Sequence, residues 1–169
     1  KNNNALFSYM LIDTENKKSI FMANSLDYEI FQKWHYYSLI PKKNLNFKIE
    51  FVKSVNPDIF PFYVDSWRWI KTTKKILFDL CTQNRIVKSN LYDKSSIAVI
   101  GDYKHLAKTL IVTLFSGSFD TSSDILYYLQ NYAIEKNYER IQILTKENLP
   151  FFDSLEYKIS FNLMKKSLI

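Results

Sequence analysis

The sequence predicts an α/β (α+β) fold in which a mixed, mostly antiparallel sheet is flanked by helices. The first observation is composition, because 169 residues with 47% hydrophobic and 17% aromatic content can close a dense core. Only two glycines and four prolines are present, which excludes collagen-like and low-complexity chains. The second observation is that segments with strand-like alternation and segments with helical spacing follow one another along the chain.

An internal repeat at the two ends of the chain is the third observation. Residues 25–40, SLDYEIFQKWHYYSLI, align without gaps on residues 154–169, SLEYKISFNLMKKSLI, at an offset of 129 positions and with seven identities in sixteen. Just upstream, the Glu-Asn pair at 15–16 matches the pair at 147–148 at an offset of 132, so the later copy is three residues shorter. Each copy predicts a strand, a helix and a strand, at 5–12, 15–24 and 28–39 and again at 140–144, 147–154 and 157–168.

The spacing of the two copies indicates a domain organisation, because their separation equals the length of one compact domain. We therefore predict that residues 1–41 are the C-terminal strand-helix-strand remnant of a preceding domain and that residues 45–169 are a complete domain. Residues 142–169 are then expected to superpose on 11–40, with one helical turn missing from the later copy. The alternative is a coincidental similarity of two edge hairpins.

The elements between the two copies follow from residue periodicity. The alternation in FKIEFVK predicts a strand that begins near Asn46. A helix is expected from a cap at Asp65 or Ser66 to about Gln83, because apolar residues recur within it at three and four positions. Three antiparallel strands are predicted at 85–89, 95–101 and 108–116, the last of them central because LIVTLF is apolar almost throughout.

A further helix and the later copy of the repeat complete the order of elements. Ser122 or Ser123 is expected to cap this helix, whose apolar residues between 125 and 133 face the sheet. Asn137 stands where a left-handed residue commonly ends a helix.

This order of strand, helix, three antiparallel strands, helix, strand, helix and strand resembles the GNAT N-acetyltransferase superfamily. The resemblance is also local, since that family places Asn at the head of its last helix and a Gly-Phe pair eleven and twelve residues later. Asn16 keeps that spacing to Asp27-Tyr28. Asn148 is three residues closer to the corresponding pair, Glu156-Tyr157. The chain looks like the C-terminal part of a tandem, double-domain member, with a complete GNAT-like domain at 45–169.

The resemblance implies an acetyl-CoA site where the strand 108–116 ends and the next helix begins. In the family, the pantetheine pairs with a splayed fourth strand and the pyrophosphate rests on backbone N–H groups at the helix start. That placement is physically sound, because a helix N-terminus offers free N–H groups and a partial positive charge. The cofactor-binding residues predicted from this resemblance are Leu114, Phe115, Ser116, Gly117, Ser122 and Ser123.

The same loop departs from the family's signature in ways that weaken binding. Asp120 or Thr121 takes the place of the first signature glycine, and the carboxylates of Asp120 and Asp124 repel phosphate. The family's helix-borne Tyr, which can protonate the leaving thiolate, is replaced by Ala23 in the first copy and by apolar residues such as Phe151 in the second. We therefore predict a degenerate acetyl-CoA loop that binds the cofactor weakly or not at all, and we assign no catalytic residue.

Two functions from different classes remain open. The resemblance implies acetyl transfer from acetyl-CoA to an amine by the intact protein, with this chain lacking a competent CoA site. The alternative is a non-catalytic ligand-binding or assembly module on a GNAT fold. The expected partners are a small-molecule or amine acceptor, together with the preceding domain of the same protein or a second copy.

Charge and cysteine usage argue against other classes. The net charge is +6, but 20 of the 23 basic residues are Lys in scattered pairs such as Lys17-Lys18, so nucleic-acid binding is not expected. His35 and His105 lie seventy residues apart without a Cys partner, which argues against a metal site. Cys81 cannot form an internal disulfide and is expected to be an inert thiol in a reducing, cytoplasmic compartment. No apolar run approaches the roughly 20 residues of a membrane helix.

Overall fold

A computed structural model of the chain describes residues 6–43, 46–56, 58, 62–65, 68–101, 108–115, 118–146, 148–149 and 155–168, with the backbone alone at 68 and 69. The elements are β1 (Phe7–Asp13), α1 (Lys17–Ser25), β2 (Glu29–Leu39), β3 (Glu50–Phe51), β4 (Phe62–Asp65), β5 (Arg68–Lys71), α2 (Lys74–Thr82), β6 (Ile86–Leu91), β7 (Lys94–Ile100), β8 (Thr109–Phe115), α3 (Phe119–Glu135), β9 (Arg140–Thr145) and β10 (Leu155–Ser167).

Eight of the strands form one sheet in the order β1-β10-β2-β9-β8-β7-β6-β3. Only β8 and β9 pair in parallel, and every other neighbouring pair is antiparallel. The prediction of a mixed, mostly antiparallel sheet flanked by helices is confirmed. The predicted strands of the repeat and of the central ribbon begin and end within two residues of the observed ones. The helix predicted at 147–154 falls outside the described residues, except for Asn148 and Leu149.

The two repeated units exchange their last strands. β1 and β2 are parallel to each other but not adjacent, because β10 lies between them. In the same way β9 and β10 are parallel but separated by β2. Each unit therefore leaves one open position in its own part of the sheet, and the last strand of the other unit fills it.

The register of β2 and β10 relates the two units by a local twofold axis. The antiparallel ladder pairs Lys33 with Asn162, and these two residues are equivalent at the sequence offset of 129. An antiparallel pair centred on equivalent residues is the arrangement that a twofold axis perpendicular to the sheet generates. The outer strands β1 and β9 then flank the central pair in equivalent positions.

Residue Asn16 stabilises the start of α1 in the first unit. Its Oδ1 accepts a hydrogen bond of 3.0 Å from the Ser19 N–H, as an N-cap residue does. Asp27 adopts a left-handed conformation with φ of 63° just after the helix, and Asn137 does the same after α3 with φ of 60°. The prediction for Asn137 is confirmed.

The strand β8 is central and is covered on both faces, as predicted. On one face Leu110, Val112 and Leu114 pack against α3, whose residues Ile125 and Leu126 are fully buried. On the other face Ile111 packs against Trp34, Val64 and Leu144. Full burial of one such side chain stabilises the fold by roughly 1.5–3 kcal/mol, so this strand joins the two halves of the core.

The helix predicted from residue 65 or 66 is wrong in its first half. Residues 62–65 and 68–71 form the antiparallel strands β4 and β5, and α2 begins only at Lys74, where Thr73 Oγ1 accepts a hydrogen bond of 3.2 Å from the Ile76 N–H. The aromatic and β-branched residues between 62 and 70 are compatible with either a short helix or a strand. Contact with the large sheet selects the strand. Val64 N–H donates to Thr113 Oγ1 at 2.9 Å, which fixes the hairpin across the face of β8. The strand predicted from Asn46 is limited to the two residues of β3, which pair with β6.

A charge placed on β8 tests its central position. The substitution Ile111→Asp buries an unpaired carboxylate at a fully buried site, which costs several kcal/mol against a total stability of about 5–15 kcal/mol. We expect loss of cooperative thermal unfolding, measured by circular dichroism. The control Ile134→Asp makes the same change on α3 at a side chain that is 43% exposed, and it should melt cooperatively. Cooperative melting of Ile111→Asp would place β8 at an edge.

A partly buried tyrosine predicts weakening of the fold at alkaline pH. The Tyr128 ring packs against Phe47 and Phe51 at centroid distances of 5.7 and 5.9 Å, and burial, then Tyr132 and Glu135, raise its pKa to about 12 from 10.0. The folded state therefore retains a proton that the unfolded chain releases, and stability present below pH 10 is lost as the pH rises through 12. We expect Tyr128→Phe to reduce the loss of unfolding free energy between pH 10 and 12, measured by urea titration at each pH. Tyr92→Phe, at a 96% exposed side chain, should leave the fall unchanged; equal slopes for both variants would contradict the assignment.

Candidate functional site at the carboxyl ends of β8 and β9

The carboxyl ends of β8 and β9 lie beside the start of α3. Ligands of open sheets commonly bind outside the carboxyl ends of parallel strands, and this is the parallel pair among the described residues. The acetyl-CoA site predicted from the sequence maps to the same place. Ser116 and Gly117, two of its predicted residues, lie outside the described residues.

The two strands stay paired to their ends instead of splaying apart. The parallel ladder runs without interruption from Thr109 opposite Arg140 to Leu114 opposite Thr145. The described part of β8 is therefore not splayed from β9. Leu114 is fully buried beneath α3, so its side chain does not reach the site.

Aromatic packing covers the end of β8 on the opposite face of the sheet. The rings of Phe115 and Trp34 meet edge to face at a centroid distance of 5.9 Å. The Nζ of Lys146, the residue after β9, lies 5.4 Å from the Trp34 ring and 6.0 Å from the Phe115 ring. Aromatic pairs and cation–π contacts each stabilise by roughly 0.5–1.5 kcal/mol. These three side chains join the ends of β8 and β9 to the middle of β2.

The cap of α3 differs from the prediction. Ser118 is the N-cap, with its Oγ accepting a hydrogen bond of 3.4 Å from the Thr121 N–H, and the helix begins at Phe119. The predicted caps Ser122 and Ser123 lie inside the helix, where the Ser122 N–H already donates to the Ser118 carbonyl at 3.1 Å. Four Ser or Thr side chains between 118 and 123 can each cap a helix, and the local pattern does not choose among them.

The hydroxyls of Ser122 and Ser123 bind protein atoms. Ser122 Oγ donates to the Ser118 carbonyl at 2.6 Å, and Ser123 Oγ donates to the Phe119 carbonyl at 2.9 Å. Both side chains are buried, and Ser122 also lies 3.1 Å from Ser96 Oγ on β7. The Ser122 hydroxyl fastens α3 to the sheet, and the hydrogen of each hydroxyl is directed at a carbonyl of the helix start.

The two carboxylates near the helix start have different surroundings. Asp120 lies exposed in the first turn of α3, where it interacts favourably with the helix dipole and repels an incoming phosphate. Asp124 Oδ2 accepts a hydrogen bond of 3.1 Å from Ser89 Oγ and is held against β6.

A hydrogen-bonded chain of polar side chains lies next to the end of β9. His35 pairs with Thr145 on one side and with Ser160 on the other. Ser160 Oγ is 3.0 Å from His35 Nδ1 and 2.8 Å from the Tyr157 hydroxyl, while Tyr157 is 53% exposed. A histidine linked through a hydroxyl to an exposed phenol is able to take up and pass on a proton. Sequence reasoning missed this cluster, because it depends on the pairing of strands 125 residues apart.

A second polar contact holds the chain that follows β9 over β2. The Tyr37 hydroxyl donates to Asn148 Oδ1 at 2.9 Å and accepts from the Leu149 N–H at 3.0 Å. Asn148, the motif residue of the later copy, therefore binds a strand of the first unit. The Tyr37 and Tyr157 rings meet edge to face at 5.6 Å, so the Tyr37 contact and the His35–Ser160–Tyr157 chain lie side by side.

Other chemistry has little support among the described residues. They contain no group of three or more His, Cys, Asp and Glu side chains that could hold a metal ion. Burial raises the pKa of the Cys81 thiol, as expected for an inert side chain. His105 lies outside the described residues. None of the helices in the described parts of the chain is long and apolar enough to span a membrane.

A groove of about 410 Å³ lies away from the ends of β8 and β9. Its lining includes Phe7, Asp27 and Lys165, at the far ends of β1, β2 and β10. A smaller groove of about 180 Å³, lined in part by Ser38 and Glu156, is related to it by the local twofold axis, since Glu156 is equivalent to Asp27. The two grooves follow from the strand exchange and bring no further catalytic chemistry.

Comparison with known proteins shows which fold this is. No family model matches the chain, and no curated protein matches it by sequence. A protein of Thermoplasma acidophilum assigned as an acetyltransferase is similar in structure, with a TM-score of 0.56 and 12% identity over 96% of this chain and 56% of that one. The GCN5-related N-acetyltransferase from Sphaerobacter thermophilus gives 0.53 and 6% identity over 95% and 59%. The chain has a GNAT-like fold.

The likeness to these acetyltransferases shows the fold alone at such low identities. The GNAT-like architecture predicted from the order of elements is confirmed. The chain spans a little under three fifths of the length of both neighbours. The preceding domain and the degenerate acetyl-CoA loop remain predictions.

Removal of the central hydroxyl tests the polar chain. Ser160→Ala leaves His35 Nδ1 and the Tyr157 hydroxyl without their shared partner at a site that is 2% exposed. We expect the free energy of unfolding in urea to fall by about 1–2 kcal/mol. Ser95→Ala, at an exposed strand serine, should change it by less than about 0.5 kcal/mol. Equal effects of the two substitutions would show that the contact adds nothing to stability.

Proposed function

We propose that the intact protein transfers an acetyl group from acetyl-CoA to an amine, and that this chain is its second GNAT-like unit, without a working cofactor site of its own. The observation that carries this proposal is the closed ladder between β8 and β9, which runs to Leu114 and Thr145. An extended pantetheine needs a gap between these strands in order to pair with β8. Opening the gap leaves buried backbone groups unpaired at about 1–3 kcal/mol each.

The phosphate end of the predicted site supports the same proposal. The exposed carboxylate of Asp120 stands in the first turn of α3, and each close contact between like charges at a surface costs on the order of 1 kcal/mol. The hydroxyls of Ser122 and Ser123 bind backbone carbonyls and do not compensate for this charge. Both features support a chain that does not bind acetyl-CoA, and we propose no catalytic step on it.

A preceding unit is the proposed location of the acetyl-CoA site. Support comes from the strand exchange, since β1, α1 and β2 match the end of a unit whose beginning the chain does not contain. Chemistry there requires close orientation of thioester and amine and a group that accepts the amine proton. The amine acceptor and the preceding unit are the partners in this proposal, and the buried, unpaired Cys81 supports a cytoplasmic location.

The second candidate is a non-catalytic ligand-binding or assembly module on the GNAT fold. The closed β8–β9 ladder favours this candidate for the chain taken alone, because a unit without a gap for the cofactor can still bind ligands or partners on its surface.

Calorimetric titration with acetyl-CoA tests the proposal. We expect no binding by residues 1–169 and micromolar binding by the complete gene product. The variant Asp120→Asn of the short chain removes the repulsive charge but keeps the closed ladder, and it should also fail to bind. Micromolar binding by the unmodified short chain would contradict the proposal. Binding by Asp120→Asn alone would show that charge, and not the ladder, closes the site.

Catalysis is the second readout of the proposal. The complete gene product should release free thiol from acetyl-CoA when primary amines are supplied. Absence of both binding and turnover in the complete product would overturn the acetyltransferase proposal and leave the non-catalytic module.

A further inference from the structure

We propose that the outer edge of β1 and the exposed side of α1 form the interface for a strand and helix of the preceding unit, whose strand pairs in parallel with β1. This proposal rests on the two-unit arrangement of the proposed function and adds its surface and geometry. Among the described residues, no strand pairs with β1 on the side away from β10.

The hydrogen bonds of β1 identify the backbone groups that face outward. Leu168 N–H donates to the Leu6 carbonyl, and Thr14 N–H donates to the Ser160 carbonyl, both at 3.0 Å. In an antiparallel ladder, residues alternate between those that bond to the partner and those that face away. Even-numbered residues from 6 to 14 therefore face β10. The outward backbone groups belong to Phe7, Tyr9, Leu11 and Asp13.

The local twofold axis gives the direction of the absent partner. β9 is the equivalent of β1, since each flanks the central pair of exchanged strands. The outer edge of β9 is paired in parallel with β8, and β8 leads through α3 into β9. The equivalent partner of β1 is therefore a parallel strand followed by a helix. Such a crossover is right-handed in nearly all proteins and brings its helix onto the sheet.

Side chains beside β9, which β8 and α3 cover, are buried, whereas those beside β1 are exposed, as expected if the partner of β1 is absent. On β9, Ile141 is fully buried, whereas Leu6, which the β1–β10 and β2–β9 ladders place at the equivalent position beside β1, is 52% exposed. On β1, Phe7 is 42% and Tyr9 37% exposed, and on α1 Phe21 and Met22 are 77% and 60% exposed. The β1 and α1 side chains lie on opposite faces of the sheet, because Tyr9 contacts Phe62 whereas α1 packs on Met10 and Ile12. Exposed apolar groups therefore flank the β1 edge on both faces, and such groups mark interaction surfaces.

The outer edge of β1 also lacks the features that prevent an exposed strand from pairing with another strand. Natural edge strands carry Pro, inward charges or Lys, which block pairing with another strand. The sequence of β1, FSYMLID, contains none of these except the carboxylate of Asp13 at its end. In the two similar structures, 44% and 41% of the chain lie outside the part that this chain covers, which is long enough to hold a strand and a helix.

Amide hydrogen exchange on the complete gene product tests the interface, with the inward-facing amides as an internal control. Ser8, Met10 and Ile12 bond to β10 and should exchange slowly whether or not a partner is present. The outward amides of Phe7, Tyr9 and Leu11 should be equally slow, on the order of tenfold or more below an exposed strand edge. Fast exchange of the outward amides alone would overturn the proposal.

A pair of substitutions at one position isolates the outward N–H. Tyr9→Ala removes the ring contacts with Phe31 and Phe62 but keeps the amide, whereas Tyr9→Pro removes both. Proline is tolerated at a true edge whose N–H faces solvent, and it breaks the ladder within a sheet. In the complete product we expect Tyr9→Pro to melt about 4 °C or more below Tyr9→Ala. Equal melting temperatures would count against a paired edge.

The remaining outcomes separate this proposal from its alternatives. Protection of β1 that depends on protein concentration would assign the edge to a second copy and overturn it. A complete gene product with no strand and helix before Phe7 would overturn it as well. Failure of acetyl-CoA binding with β1 fully protected would reject the proposed function and leave the interface standing. Acetyl-CoA binding by a product whose outward β1 amides exchange fast would reject the interface and leave the proposed function standing.

Discussion

The crossing of β2 and β10 is the constraint on which the rest of the structure depends. Each strand closes a gap that its own unit leaves open, so neither unit completes its part of the sheet alone. β2 brings Tyr37 and Leu39 into the core beneath α3, although both residues belong to the earlier segment of the chain. β10 in turn brings Leu163 and Met164 to the cores beside Leu11 and α1. The segments 1–41 and 45–169, separate in sequence, therefore share one sheet and one packing arrangement.

The polar cluster beside β9 is a consequence of the same crossing. β2 continues past the end of β9, because their ladder covers only the part of β2 from His35 to Leu39. The His35 ring comes from the first unit and the Ser160 hydroxyl from the second, and their hydrogen bond forms only where the exchanged strands pair. A proton-accepting group in this position therefore belongs to neither unit alone.

Sequence reasoning predicted the elements better than their pairing. The repeat located β2 and β10 to within two residues and made Lys33 equivalent to Asn162, but nothing local states that equivalent strands pair with each other. β8 was predictable because its strand is apolar on both faces, which only a central position requires. The residues around Trp69 and Ile70 were ambiguous, and a hydrogen bond from Val64 to β8 decides in favour of the hairpin. The cap of α3 depends on how that helix packs on β7, which no local pattern records.

The side chains that join the ends of β8 and β9 to the middle of β2 differ between the two repeated units. Trp34, which is 1% exposed, comes from the exchanged strand β2 and packs against Phe115 beneath Lys146. At the offset of the repeat, Leu163 replaces Trp34, and the β1–β10 and β2–β9 ladders bring Leu11 to the position equivalent to Lys146. Two aliphatic side chains cannot reproduce the edge-to-face and cation–π contacts that join β2 to the ends of β8 and β9. The strand exchange therefore gives equivalent positions of the two units the same backbone pairing but different side-chain contacts.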